Sequence, residues 1–339
     1  MRTFRRCAVF VLLALLMSAG LKFLLVPSSY MRIALHEVQD SKKNYDVIFV
    51  GQSHGELAFD PQKIEEKTGM SAYNLARRQI VMRDVYYVVK EADYKNDPKV
   101  ILYDMDPTYW IDNETPNYYG DSYMYPHLNN PLNKAEYFLR YNTKEDFRMT
   151  LFPYWLCGTD DIKKIKTTLS NKLKGAYWNY SIEAVNITNK SVKYHEGGFW
   201  YQDVQTNEDF HANPWKDEKV SESARQSFMN MAEYCKKQGI QFICVSSPLP
   251  KDRRDKENYH AAHQYMEALT EECEVPYWDF NDADFGIDEK KDFIDKDGHL
   301  LGPSAQKYSE YLGQVLAEYM QGKDVNHYFA KEHQKGKKK

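Results

Sequence analysis

The chain has 339 residues, long enough for one large domain or two small ones with a real core. Its formal net charge is -4 and its pI about 6.2, so no global basic field argues for a nucleic-acid partner. Aromatics are rich, with 27 Tyr, 16 Phe and 6 Trp, which favours surfaces that are half apolar and half wet.

The first element is an apolar helix. Arg2, Arg5 and Arg6 precede an uncharged run from Cys7 to Leu21; Lys22 interrupts it, and Phe23 to Val26 continue it. About 20 residues at 1.5 Å each cross a bilayer core, and Lys22 can snorkel to the far interface. The basic flank, residues 1–6, predicts a cytoplasmic N-terminus and an extracytoplasmic body. A cleaved signal peptide is the competing reading. Ser18-Ala19-Gly20 offers small residues, but Met17 fits poorly three residues before a cut after Ala19. An uncleaved single-pass anchor over 7–27 is therefore expected, followed by a linker over 28–44.

A strand–helix alternation then begins. Asp46–Val50 reads as a buried strand, and Asp60 caps a short helix with Pro61 in its first turn and Gly69 at its end. Ser71–Leu75 is a second strand, and residues 80–94 place Val81, Val85, Val88, Val89 and Ala92 on one helical face. Lys99–Asp104 is a third strand. After a break, residues 218–238 form a helix ending at Gly239, 240–247 a fourth strand, 256–272 a helix, and 275–280 a fifth strand. Pro303 opens a last amphipathic helix. This pattern predicts an α/β fold, a doubly wound five-stranded parallel sheet with helices on both faces. Its domain runs over 45–106 and 218–322. Sites in such sheets lie at the carboxyl ends of the strands, where Ser53, Asp104, Asp106, Ser246, Ser247 and Asp279 fall.

Residues 107–217 are too many for one crossover and read as an inserted, aromatic-rich subdomain over the strand ends. It holds Trp110, Trp155, Trp178, Trp200 and Trp215, five of the six tryptophans. Most of these belong to the insert's own core on the simpler reading; a platform for sugar rings is the functional one. The basic tail, 323–339, ends in a solvated, disordered Lys-rich run. Cys7, Cys157, Cys235, Cys244 and Cys273 show no metal spacing, and neither metal nor organic cofactor is expected. A Cys235–Cys273 bridge is open, and Cys244 reads as a buried free thiol. Sequons stand at Asn113, Asn179, Asn186 and Asn189.

Chemistry concentrates at two places. In "VIFVGQSHGELAFDP", Ser53 sits on a strand-to-helix turn, where its backbone N–H can hold an oxyanion and the flanking glycines admit substrate. Alone this reads as a helix cap. In "DKDGHLLGPSAQKYS", His299 lies four residues before the last helix with Asp295 and Asp297 beside it, a base with two acidic orienters in reach. His54 reads as structural and Asp106 as a rim residue. Arg77 and Arg78 are either a solvated pair or contacts for an anionic substrate such as a phosphate polymer.

These segments resemble the SGNH/GDSL hydrolase superfamily. The likeness is to the membrane-anchored branch that includes the D-alanyl-lipoteichoic acid transfer protein and polysaccharide O-acetylation proteins. It covers residues 45–106 and 240–316, about two fifths of the chain. "FVGQSH" is similar to the first block with its nucleophile, "SAYNLARRQ" to the second, and "DFIDKDGHLLGPSAQKYS" to the last. Ala76 stands where the second block usually has the glycine whose N–H serves the oxyanion hole. No asparagine answers the third block, where "YDMDPTYW" stands. Lys296 holds the usual acidic place three residues before the histidine, leaving Asp295 or Asp297 as orienter, with Asp295 preferred.

The resemblance implies a membrane-anchored extracytoplasmic serine esterase or O-acyltransferase acting on a cell-envelope polysaccharide or teichoic-acid-like polymer. Ser53 would be the nucleophile, His299 the base, and the Ser53 and Ala76 N–H groups the oxyanion hole. Arg77, Arg78 and Asp106 would meet substrate. A multispanning membrane O-acyltransferase is the implied partner. The other expectation is a non-catalytic glycan-binding component of an envelope or exopolysaccharide assembly. It would gain if Ser53 and His299 could not approach each other.

Overall fold

The structure, a computed structural model, describes residues 2–40, 42–78, 80–111, 124–142, 146–156, 162–185, 187, 190–206 and 210–329. Cys157, the sequons at Asn113, Asn186 and Asn189, and the tail from Lys331 lie outside them.

The elements follow in chain order. Helices α1 (Arg2–Leu25) and α2 (Tyr30–Val38) lead into β1 (Val47–Val50), α3 (Ser53–Ala58), α4 (Pro61–Thr68), β2 (Ala72–Asn74), α5 (Met82–Asp93) and β3 (Val100–Asp104). Among the described residues that follow are α6 (Pro131–Arg140), α7 (Phe147–Leu151), α8 (Ile165–Leu173) and α9 (Gly175–Trp178). Then come β4 (Val192–His195), β5 (Phe199–Gln202), α10 (Glu222–Gln238), β6 (Gln241–Ser246), α11 (Lys251–Lys256), α12 (Tyr259–Glu272), β7 (Tyr277–Asp279) and α13 (Gly302–Met320).

Five strands form one parallel sheet in the order β2-β1-β3-β6-β7. This is the doubly wound α/β fold that the alternating pattern predicts. The inner strands are continuous apolar runs because both faces are covered: every residue of β1 and β3 is buried. The core on one face joins Phe49, Leu102, Ile243 and Val245 to Tyr308, Leu312 and Leu316 of α13. Local signals set the helix ends. Asp60 accepts from the Gln62 amide with Pro61 behind it, Ser221 caps α10, and Gly69 and Gly239 stop their helices in the left-handed conformation. Since the chain winds one way from β1 to β2 and the other way from β3 onward, the carboxyl ends of β1 and β3 border a topological switch point.

The sequence reading gave 107–217 no strands, yet β4 and β5 pair there as an antiparallel hairpin. Its signal is the Gly197-Gly198 turn, both at positive φ, between aromatic stretches.

The chain divides into two compact units, residues 1–36 with 116–188, and residues 37–115 with 189–339. The second holds the sheet. Trp110, Trp200 and Trp215, placed by sequence in the insert, are buried within this second unit. The first unit contains α1, whose 24 residues are long and apolar enough to cross a membrane. Cys235, Cys244 and Cys273 are free thiols, so the Cys235–Cys273 bridge is not formed.

Candidate active site

Ser53 is the first residue of α3, two residues beyond Gly51 at the end of β1. Gly51 has φ +149, and a Cβ there would lie 2.9 Å from the Asp104 Cβ. A Cβ on Gly55 would meet the Phe59 ring at 2.9 Å and the Ala76 Cβ at 3.1 Å. The two glycines thus let β3 and the segment after β2 approach the nucleophile turn; their missing side chains face protein and not substrate, where the sequence suggested an opening for substrate.

His299 reaches Ser53 from 246 residues away. The loop that carries it closes on itself: Phe293 bridges Leu300, Ile294 N–H donates to His299 O at 2.6 Å, and Leu301 N–H donates to Asp292 O at 2.9 Å. Phe293, Ile294 and Leu300 are buried, which anchors the loop. The helix after it, α13, is tied to the end of α3: Ser309 Oγ donates to Ala58 O at 2.9 Å and accepts from Asp60 N–H at 2.8 Å.

The resulting contacts are short. His299 Nε2 lies 2.9 Å from Ser53 Oγ, and His299 Nδ1 lies 2.8 Å from Asp295 Oδ2. The other Asp295 oxygen accepts from Gly298 N–H at 3.0 Å and His299 N–H at 3.2 Å. Burial pushes the Asp295 carboxyl up, but the hydrogen bond and charge of His299 outweigh it and hold the group below the ordinary aspartate value. Asp297 is 3.9 Å from Nδ1 and 40% exposed. The geometry therefore pairs His299 with Asp295.

A residue that the sequence reading missed completes the contacts of Ser53. Tyr109 Oη lies 2.6 Å from Ser53 Oγ. An ionised Asp295 places the His299 proton on Nδ1 and leaves Nε2 as acceptor for the Ser53 hydroxyl. Tyr109 must then donate to Oγ. Burial pushes the Tyr109 phenol well above its ordinary value, so it keeps its proton.

Beneath this array lies a buried polar layer. The His54 ring stacks on His299 with centroids 4.3 Å apart and planes 11° apart. Its Nδ1 is 3.1 Å from Asp106 Oδ2, and its Nε2 is 2.8 Å from the Arg253 guanidinium. Arg253 is fully buried; it also binds Asp106 at 3.0 Å, Glu257 at 2.8 Å and the Asp297 carbonyl. Burial pushes the pKa of His54 below its ordinary value, so the ring is neutral beside Arg253. Burial raises Asp106, but the Arg253 charge prevails and holds it far below the usual carboxylate range. Asp106 is 4% exposed and bonded to Arg253 and Thr108, so it lies under the site and not on a rim.

Two further expectations change. The Ala76 amide donates to Asn74 Oδ1 at 2.9 Å, so that N–H is already engaged and does not face an oxyanion. Asn74 takes this place because its amide also caps α3, donating to Gly55 O at 3.0 Å and Phe59 O at 3.1 Å. Arg77 and Arg78 are not simply solvated: both bind the fully buried Glu56 carboxylate, Arg78 at 2.6 Å. Their side chains remain 29% and 42% exposed. The Ser53 amide lies in the first turn of α3, where Gln52 gives no side-chain cap.

Among the described residues, two groups of side chains bring donors close enough together for a cation. His54, Asp297 and His299 bring donor atoms within 4.8 Å of one another, but Arg253 already sets a positive charge among them and both His299 nitrogens are engaged. His263, Asp279 and Asp282 line a cavity of about 550 Å³ beyond β7. There Asp279 Oδ2 already accepts from Tyr259 and His263, and Oδ1 from Asn281.

No protein-family model matches the chain, and no curated protein does. Among the solved structures that it resembles is a GDSL-like lipase from Bacteroides thetaiotaomicron, 12% identical, with a TM-score of 0.38, covering 86% of this chain and 98% of that one. The chain's own strand order and side-chain geometry define it: a doubly wound sheet with Ser53, His299 and Asp295 in hydrogen-bonded series beside its switch point.

Proposed function

We propose that the protein is a membrane-anchored extracytoplasmic serine esterase or O-acyltransferase of the SGNH type, acting on a cell-envelope polysaccharide or teichoic-acid-like polymer. The observation that carries this reading is the Ser53–His299–Asp295 series, at 2.9 and 2.8 Å. That approach favours the enzyme over a binding module, which needs neither contact.

The chemistry is acyl transfer through a covalent intermediate. His299 Nε2 takes the Ser53 proton as Oγ attacks the acyl carbonyl, and Asp295 stabilises the imidazolium. The carbonyl oxygen becomes an oxyanion, held by the Ser53 N–H and by the Tyr109 hydroxyl as it turns from Oγ. His299 then protonates the departing alcohol, leaving the acyl group on Ser53. A water or a glycan hydroxyl attacks next, His299 accepts its proton, and Ser53 regains its own as the product leaves. Arg77 and Arg78, both on the buried Glu56 carboxylate and 29% and 42% exposed, would meet an anionic polymer. The helix α1 serves as anchor and keeps the site at the membrane, where a multispanning O-acyltransferase can supply the acyl group.

The test is the acyl content of envelope polymer from cells carrying Ser53→Ala in place of the native chain. A changed content, with Ser53→Ala protein present at native level, supports the enzyme. Unchanged content at that level favours the glycan-binding module.

A further inference from the structure

The unit made of residues 1–36 and 116–188 exposes large apolar side chains that the proposed chemistry does not use. Trp155 is 53%, Trp178 61% and Leu173 68% exposed. Large exposed apolar side chains gathered in one unit mark a protein, ligand or membrane contact where they share a surface. The same stretch is basic: residues 162–178, IKKIKTTLSNKLKGAYW, hold five lysines and no acidic residue. Lys163, Lys164, Lys166 and Lys174 are exposed. Anionic lipid headgroups complement that charge.

The stretch is fixed to the far end of α1. Tyr154 Oη donates to Ser18 Oγ at 3.2 Å. Trp178 stacks on Phe23 with centroids 6.4 Å apart, and Tyr177 meets Phe23 edge-on at 6.1 Å. Lys172 donates to the Phe23 carbonyl at 2.6 Å and to that of Val26, the negative end of the helix dipole. Ser18 lies eight residues before Val26, so along the helix axis it sits ~12 Å deeper. These aromatic contacts therefore lie along α1 between Ser18 and its end. Trp and Tyr gather at this level of membrane proteins because their rings are apolar and their tips polar.

We propose that residues 147–156 and 162–178 form a collar seated at the outer lipid–water interface against α1, with Trp178 among the acyl carbonyls, Trp155 deeper among the upper acyl carbons and the exposed lysines on anionic headgroups. The collar continues the surface of a membrane-spanning helix, which is why lipid is its occupant. It rests on α1 crossing the membrane and is independent of the ester chemistry.

Tryptophan emission tests it in the full chain reconstituted into phosphatidylcholine vesicles, with bromine on the upper acyl carbons as one quencher and aqueous acrylamide as the other. Bromolipid quenching is expected for the native chain and its loss for the Trp155→Phe/Trp178→Phe double variant. Adding phosphatidylglycerol should deepen that quenching, and Lys→Gln at 163, 164, 166 and 174 together should abolish the deepening. Trp155 and Trp178 emission quenched by acrylamide alone overturns the collar, as a sugar platform facing water would give. Quenching by neither also overturns it, because a protein partner or second copy then covers the surface. No response to phosphatidylglycerol overturns the lysine contacts. Release of the chain by alkaline extraction overturns the anchor and the collar together, while labelling of Ser53 is untouched by either outcome.

Discussion

Asp295 holds the His299 ring because its loop presents one carboxylate well. Two backbone amides and Nδ1 converge on Asp295, whereas Asp297 offers its carbonyl to Arg253 and leaves its side chain half in water. Asp295→Asn is expected to lower turnover by ~10³–10⁴, as loss of the correct tautomer does, with folding intact. Asp297→Asn should cost far less; steady-state hydrolysis of an activated ester measures both. Tyr109→Phe should lower kcat by ~10² or more with little change in KM, since it removes a donor aimed at the reacting atoms. An unchanged kcat would leave Tyr109 a packing residue. Ser53, His299 and Asp295 were legible in sequence because their local patterns bracket the sheet at its two ends. Tyr109 was not, because nothing local marks a tyrosine five residues past β3 as facing a serine after β1. Ala76 misled for the opposite reason. Its place matched an oxyanion donor, yet the Asn74 side chain, two residues earlier, occupies its N–H.

At the level of elements, buried titratable groups at the carboxyl end of β3 lie under the nucleophile turn. Asp104 ends β3 at 1% exposure; burial pushes its carboxyl up to about 7 against the hydrogen bonds from Ser247. An unfolded aspartate titrates at ~3.9. Between those values the folded chain keeps a proton that the unfolded chain has lost. The contribution is therefore full at low pH and is lost as pH rises through about 7. Asp104→Asn should flatten this fall, and melting temperatures from pH 5 to 8 should show the variant gaining on the native chain as pH rises; parallel curves would contradict the account. Arg253→Met should destabilise by ~3–5 kcal/mol in denaturant titrations, because it leaves ionised Asp106 buried without its cation. Combining it with Asp106→Asn should recover part of that loss. The five strands and their helices were readable because buried parallel strands are unbroken apolar runs and their caps are local. The β4–β5 hairpin escaped because its pattern is short and sits among irregular aromatic sequence.

For the whole molecule, the order of the sheet explains how residues 246 apart in sequence share one site. The nucleophile turn follows β1, and α13 returns across α3 and α4 to deliver the loop before it. The anchor belongs to this scale too. With Arg2, Arg5 and Arg6 in the first turns of α1, ahead of its apolar run, a C-terminal alkaline phosphatase fusion should be active only outside the cytoplasm. Activity of a cytoplasm-dependent reporter at that position would reverse the topology and with it the class of substrate. The measurement that bears most directly on the central claim is covalent labelling of the native chain by a fluorophosphonate, with the adduct located by mass spectrometry. The account predicts one adduct, on the Ser53 hydroxyl, absent in Ser53→Ala and strongly slowed in His299→Ala. An unlabelled native chain, or an adduct that persists in Ser53→Ala, would contradict it.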